Sequence, residues 1–173
     1  MPNKSVFVSH ISEETELAQW LQAQLIRDFL GMVDVFVSSD RPSIQAGSRW
    51  LDEVEKALKD ADLQIVLCSR ESVGRPWVNF EAGAAYLRGI RVVPACHSNM
   101  RPQHLPAPLS MLQGVVLAEE AGLKKLYDAV AEVLAVRVPD RDFVALGREA
   151  SRLEMRYRDR ADGVEVIENP RVL

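Results

Sequence analysis

Two side chains that could act together on a ligand, Trp77 and Glu81, stand four residues apart in the segment 76–83, PWVNFEAG. Four residues are about one turn of an α-helix, so the indole ring and the carboxylate are expected on one helix face. The segment follows the apolar run 63–69, which is typical of a buried strand. Because open α/β sheets bind ligands beside the carboxyl ends of their strands, the pair predicts a site that combines an acid with a flat aromatic surface.

Alternating apolar runs and helical patterns indicate the elements that must position this pair. The strands are predicted at 6–9, 33–38, 63–69, 91–95 and 114–117. The helices are predicted to begin near Glu13, Ser48, Pro76, His104 and Gly122. Ser12 is a plausible N-cap of the first helix. Strands that alternate with helices in this way favour a parallel sheet covered by helices.

Residues that follow the first predicted strand should lie at the same sheet edge as Glu81. His10, Ile11 and Ser12 could line a pocket there, and Ser12 could present a helix N-terminus to a phosphate group. The alternative is that Ser12 is only a helix cap and that His10 is an exposed loop residue. The sequence leaves both interpretations open.

The end of the second predicted strand supplies further candidates for ligand binding, namely Ser38, Asp40 and Arg41. Arg41 could pair with a pyrophosphate, although arginines in loops more often face solvent. Trp50, which follows a glycine and a serine, is expected either to pack under this loop or to close over the ligand.

Length, composition and charge exclude several classes of protein. With 173 residues, of which 47% are hydrophobic, the chain fits one domain with a tail. The net charge of −4 gives no general attraction to nucleic acids or anionic membranes, and no apolar stretch approaches the roughly 20 residues of a membrane span. No signal peptide is expected at the N-terminus, and the chain lacks both the G-x-G-x-x-G and the P-loop motifs.

The two cysteines, Cys68 and Cys96, each stand at or next to the end of a predicted strand, and His97 follows the second. With only two cysteines no disulfide framework is expected, which favours a reducing cytoplasm. A metal site would need more ligands, so none is predicted. A Cys-His nucleophile is conceivable, but two buried, inert thiols are the favoured interpretation.

A change in composition beyond residue 136 predicts a helical extension and tail over 137–173. Its apolar residues recur at helical spacing and its arginines fall on another face. One interpretation is a solvated arginine face bridged to Glu149, Glu154 and Asp159. The other is a docking helix whose apolar stripe packs on the domain or on a second copy. The apolar positions are Phe143, Leu146, Ala150, Leu153 and Tyr157, and the basic ones are Arg148, Arg152, Arg156 and Arg160.

Several segments, taken in order, resemble a bacterial Toll/interleukin-1 receptor (TIR) domain. They are the first-strand segment 6–10 (VFVSH), the loop 40–47 (DRPSIQAG), and the strand 63–69 followed by 75–81 (RPWVNFE). The resemblance covers about residues 5–136, so a TIR domain is expected over 1–136. The family's third box, a Phe-Trp near the last helix, has no clear equivalent, which bears on receptor-like signalling contacts more than on catalysis.

The resemblance implies a flavodoxin-like, three-layer α/β sandwich with five parallel strands in the order 2-1-3-4-5. It also implies NAD+ glycohydrolase or ADP-ribosyl cyclase activity in bacterial antiviral defence, with NAD+ as a substrate and no cofactor. Glu81 matches the family's catalytic glutamate, while Trp77 and Phe80 match its aromatic neighbours. Self-association through the loop 40–47 and an effector or sensor protein as a partner are further expectations.

Other interpretations of these residues and of the whole chain stay open at this stage. Glu81 could be a capping or salt-bridged surface glutamate, since acids are favoured early in helices, and Trp77 could be an ordinary core aromatic. The chain could be a non-catalytic TIR adaptor that acts only through homotypic contacts. It could also transfer deoxyribosyl groups between nucleosides, a reaction in which a glutamate acts on a sugar.

Overall fold

The computed structural model describes residues 3–40 and 55–163 and contains one parallel five-stranded sheet. The strand order is β2-β1-β3-β4-β5, and every neighbouring pair is parallel. The predicted flavodoxin-like α/β fold is therefore confirmed. The strands are β1 (Lys4–Ile11), β2 (Val33–Asp40), β3 (Leu63–Cys68), β4 (Arg91–Cys96) and β5 (Val115–Val116).

Helices cover both faces of the sheet. The long helices are α1 (Thr15–Asp28), α2 (Pro76–Leu87), α3 (Glu120–Leu134) and α4 (Phe143–Ala161), and residues 55–59 are also helical. The predicted helix start at Ser48 lies outside the described residues. In the part of the chain that the structure describes, no helix combines the length and the apolar character needed to cross a membrane.

The predicted helix near His104 is wrong. The structure has two short 3-10 turns there, Pro102–His104 and Leu109–Met111. Three prolines stand between positions 102 and 108, and each removes a backbone N–H donor and clashes with a preceding helical turn. An α-helix therefore cannot run through this segment.

The start of the first helix also differs from the prediction, because Ser12 is not its N-cap. Ser12–Glu14 forms a 3-10 turn, and Glu14 is the residue that precedes α1. The Glu14 carboxylate turns inward and accepts a hydrogen bond from the backbone N–H of Ile11 at 3.1 Å. This bond satisfies a backbone donor at the point where the strand ends and the helix begins.

Two apolar layers hold the sheet between its helices. One contains Val8 and Ile65 of the sheet with Leu21 of α1 and Leu126 of α3. The other contains Phe7, Val66 and Val92 of the sheet with Val78 and Ala82 of α2. Neighbouring strand residues alternate between these layers, as expected for a sheet that is buried on both faces.

Helix α4 closes the first of these layers, as the docking interpretation predicts, whereas two of its arginines pair with α1 rather than with acids of their own helix. Its apolar residues Phe143, Leu146, Ala150 and Leu153 belong to the same core cluster as Val8 and Leu21. On its other face, Arg156 and Arg160 are exposed and both pair with Glu16 of α1. The helix therefore docks on its own domain and keeps a solvated basic face. The division at residue 136 stays a prediction.

Candidate functional site

Helix α2 carries Glu81 and starts at the carboxyl edge of the sheet. Pro76 occupies the first helical turn, where its missing N–H is tolerated and its fixed φ favours helix initiation. Glu81 lies in the second turn, between the core positions Val78 and Ala82, and only 1% of its surface is exposed. Glutamates are almost never buried to this extent unless they are paired or functional, so Glu81 is not a glutamate of the protein surface.

Two aromatic rings of α2 lie next to this carboxylate in the sequence. The rings of Trp77 and Phe80 are stacked, with their centroids 5.5 Å apart and an interplanar angle of 25°. Trp77 is partly buried against the core, whereas 64% of the surface of Phe80 is exposed. Together they form a flat aromatic surface that reaches from the core to solvent.

The end of β1 brings His10 and Ile11 to the same edge of the sheet, and both are buried. His10 Nδ1 lies 2.7 Å from the Ile11 carbonyl oxygen, so this nitrogen donates a hydrogen bond to it. His10 is therefore not an exposed loop residue. The Ile11 side chain packs in the second apolar layer, while Ser12 is exposed at the start of the 3-10 turn.

The backbone of β2 places Ser38 and Asp40 beside the end of β1. Asp40 is aligned with Ile11 in the parallel register, and Ser38 with Ser9. The predicted ligand-binding positions on these two strands thus share one edge with the start of α2. Arg41 and Trp50 lie outside the described residues.

A buried polar network at this edge was missed by the sequence reasoning. The Glu14 carboxylate accepts hydrogen bonds from His97 Nε2 and from the Ser69 hydroxyl, each at 2.8 Å, and from the Ile11 N–H. The side chains of Glu14 and His97 are completely buried. Each hydrogen bond to a buried carboxylate offsets part of its lost hydration, so the network is well compensated.

Helix α4 joins this network through Tyr157 and Glu154. The Tyr157 hydroxyl donates to Glu71 Oε2 at 3.2 Å and lies 3.1 Å from the Ser69 hydroxyl. Its ring meets the His97 ring edge to face at 5.2 Å. Glu154 accepts a hydrogen bond from the backbone N–H of the residue after His97 at 3.0 Å. Burial raises the pKa of both Tyr157 and Glu154 above their usual values.

A signal for this network was present in the sequence. Glu14, Ser69 and His97 each stand within three residues of the end of a strand. The carboxyl ends of parallel strands meet at one edge, so these three side chains were candidates for contact. Tyr157 carries no such signal, because nothing in its local pattern indicates which part of the sheet α4 covers.

The two cysteines lie on neighbouring strands in register, Cys68 beside Cys96, and both are buried and free. Burial raises the pKa of Cys68 well above its usual value and that of Cys96 to about 12. The prediction of buried thiols is confirmed. Within residues 3–40 and 55–163, no group of three or more His, Cys, Asp or Glu side chains could hold a metal ion.

The fold is that of a flavodoxin-like α/β domain, with a buried glutamate on α2 and polar residues at the carboxyl ends of its strands. A sequence model of the TIR domain family matches residues 6–127, about 70% of the chain. The protein therefore belongs to the TIR domain family, as the sequence motifs predicted.

Comparison with solved structures finds similarity to the TIR domains in a structure of the activated Roq1 resistosome directly recognizing the pathogen effector XopQ. The sequence identity is 21%, the match covers 88% of this chain and 84% of the other, and the TM-score is 0.45. A similarity this low adds nothing to the family assignment, which rests on the family match. No curated protein matches this sequence.

Proposed function

We propose that this TIR domain cleaves NAD+ at the bond between nicotinamide and ribose, with Glu81 as the catalytic carboxylate. The observation that carries the proposal is the 1% exposure of Glu81 on a helix that starts at the ligand-facing edge of the sheet. A carboxylate held away from bulk water stabilises a nearby positive charge more strongly than an exposed one.

The chemistry requires no strong general acid. The bond between C1′ of the ribose and the nicotinamide nitrogen breaks, and its electron pair leaves with nicotinamide, which departs as a neutral molecule. Positive charge develops on the ribose ring, and Glu81 stabilises it as glycosidase carboxylates do. Water then attacks C1′ to give ADP-ribose, or a nitrogen of the adenine ring of the same molecule attacks to give a cyclic product.

The remaining residues of the proposed site would bind the substrate. The stacked pair Trp77 and Phe80 would offer a surface on which a planar ring of the substrate can stack. The other proposed substrate-binding residues are His10, Ile11, Ser12, Ser38, Asp40, Arg41 and Trp50. Of these, His10 and Ile11 are buried at the strand end, so any contact from Ile11 would come from its backbone.

The setting of this activity belongs to the same proposal. We place the enzyme in the cytoplasm, in bacterial antiviral defence, where self-association through the segment 40–47 and an effector or sensor protein would switch it on. NAD+ would be consumed as a substrate, without a resident cofactor, metal, nucleic acid or membrane partner.

The proposal is tested by incubating the purified 173-residue chain with NAD+, alone and with a crowding agent that favours assembly. Chromatography and mass analysis should show nicotinamide together with ADP-ribose or a cyclic isomer, and Glu81→Ala should abolish both. Assembly without any release of nicotinamide would contradict the proposal and support the non-catalytic adaptor. Base exchange between deoxynucleosides without NAD+ cleavage would support deoxyribosyl transfer instead.

A further inference from the structure

A cavity of about 750 Å³ opens between the end of α4 and the loops that follow β3 and β4. This volume lies within the usual range of small-molecule sites, and the cavity stands at the carboxyl edge of the parallel sheet. Its wall includes Ser69, Arg70, Met100, His104, Tyr157 and Arg158. Neither Glu81 nor Trp77 is among its wall residues.

In the described part of the chain, the two arginines of this cavity are not hydrogen-bonded, although the charge of Arg158 lies close enough to Glu154 to oppose the rise in the pKa of that carboxyl. Within residues 3–40 and 55–163, Arg70 and Arg158 form no hydrogen bond or ion pair through their side chains. By contrast, Arg156 and Arg160 of the same helix both pair with Glu16. Two unpaired guanidinium groups on the wall of one cavity leave several hydrogen-bond donors for a ligand.

Most of the acidic groups near the cavity are already engaged. Glu71 lines it, but one carboxylate oxygen accepts from Arg75 at 3.0 Å and the other from the Tyr157 hydroxyl at 3.2 Å. The Ser69 hydroxyl donates to Glu14. Among the described residues, Asp162 at the exposed end of α4 is the other acidic residue of the wall. Arg75 and the Tyr157 hydroxyl thus engage Glu71, which leaves the guanidinium groups of Arg70 and Arg158 as donors for a ligand.

The wall between these polar groups is apolar, with Val73, Met100 and Pro106 as its main contributors. The loop after β4 also has an uncommon backbone, because Ser98 and Asn99 have φ angles of 51° and 69°. Residues other than glycine adopt this left-handed conformation rarely and often at functional sites. Glu154 of α4 holds this loop through its hydrogen bond to the Ser98 N–H.

We propose that this cavity binds a small phosphate monoester with an apolar body. The guanidinium groups of Arg70 and Arg158 and the imidazole of His104 provide donors for the three terminal phosphate oxygens, and the apolar wall receives the organic group. The dianion of a phosphate monoester suits two guanidinium groups better than a carboxylate with its single charge. Tyr157 and Arg158 lie beyond the family match at 6–127, so part of the cavity wall comes from outside the matched segment.

The test uses phenyl phosphate as the probe and nitrogen-15 NMR spectra of the 173-residue chain without NAD+. Phenyl phosphate should shift the backbone signals of residues 69–71 and 98–100 with a dissociation constant of about 1 mM or below. Phenol and inorganic phosphate, tested separately, should each bind at least about tenfold more weakly, because each lacks half of the contacts. No NAD+ is present, so the result does not depend on the proposed catalytic activity.

Single substitutions, compared with a control on the same helix, identify the residues that bind phenyl phosphate. Arg70→Ala and Arg158→Ala should each weaken phenyl phosphate binding at least about tenfold, and Arg158→Lys should lose less because it keeps the charge. Arg152→Ala is the control, since Arg152 is an exposed arginine of α4 outside the cavity wall. Absence of binding at several millimolar phenyl phosphate would overturn the proposal. Equal affinity of the wild type, Arg70→Ala and Arg158→Ala would overturn it as well.

Discussion

His97 Nε2 lies 2.8 Å from Glu14 Oε1, and neither side chain has any surface exposed to solvent. This contact joins the loop after β4 to the turn after β1, across the intervening strand β3. Because removal of one partner leaves the other buried without its hydrogen bond, His97→Ala should lower the free energy of unfolding by about 2–4 kcal/mol. Urea denaturation followed by circular dichroism measures the loss.

A double-mutant cycle separates this contact from general packing. Glu14→Ala and His97→Ala together should be less destabilising than the sum of the two single changes. The control cycle uses Glu120 and Lys124, an exposed pair one turn apart on α3, whose coupling should stay below about 1 kcal/mol. Additive effects at Glu14 and His97 would show that the buried contact contributes nothing specific.

Two helical glycines should respond to alanine in opposite directions. At Gly122 of α3, an added Cβ would lie 2.0 Å from the carbonyl oxygen of Val116 in β5, so Gly122→Ala should destabilise the protein by about 3 kcal/mol or more. At Gly83 of α2, a Cβ meets no atom within 4 Å, so Gly83→Ala should stabilise the protein by about 0.5–1 kcal/mol. Thermal unfolding of both variants tests the assignment, and an equal effect at the two sites would contradict it.

Glu154 should make the stability of the protein depend on pH. Burial raises its pKa in the folded state, so the folded protein binds the proton more tightly than the unfolded chain. Stability is therefore lost as the pH rises from the ordinary glutamate pKa through the folded value. Glu154→Gln should raise the melting temperature at pH 7 by roughly 2–4 °C, and the gain should vanish near pH 4.

This effect is measured by calorimetry of both proteins between pH 4 and pH 8. Asp159→Asn, which changes an exposed acidic residue of the same helix, serves as the control. A gain for Glu154→Gln that is independent of pH would show that ionisation of Glu154 is not its cause.

The two cysteines should be unreactive in the folded protein. Burial disfavours the thiolate form at Cys68 and Cys96, and the thiolate is the reactive species. Ellman's reagent at pH 8 should therefore modify neither thiol on the timescale on which it modifies both in the denatured chain. Rapid modification of a native thiol would show that the edge of the sheet opens far more readily than its packing indicates.

Much of the architecture could be predicted from the sequence because the signals are local. Runs rich in valine and isoleucine placed all five strands to within about two residues, and the spacing of leucines located α1. The prediction of a helix near His104 was wrong for a local reason too, since the prolines of that segment prevent an α-helix whatever the spacing of its apolar residues. Local sequence patterns thus indicate which helices and strands form, and prolines indicate where an α-helix cannot form.

The site was only partly predictable, because side-chain partners depend on tertiary packing. Strand order brings His10, Glu14, Ser69 and His97 to one edge, yet their pairing depends on distances that no sequence pattern encodes. The acidic residues at 149 and 154 were expected to bridge arginines of their own helix. Instead, Glu149 accepts a hydrogen bond from Trp20 and Glu154 from Ser98, because α4 is docked on the domain.

The central claim, that the buried carboxylate of Glu81 acts on the sugar of NAD+, is tested most directly by replacing that residue alone. The rate of nicotinamide release is measured for the wild type, Glu81→Gln and the control Glu132→Gln, which changes an exposed glutamate of α3. We predict a loss of at least about a hundredfold for Glu81→Gln and no change for Glu132→Gln. A Glu81→Gln protein that is folded and cleaves NAD+ at the wild-type rate would contradict the claim.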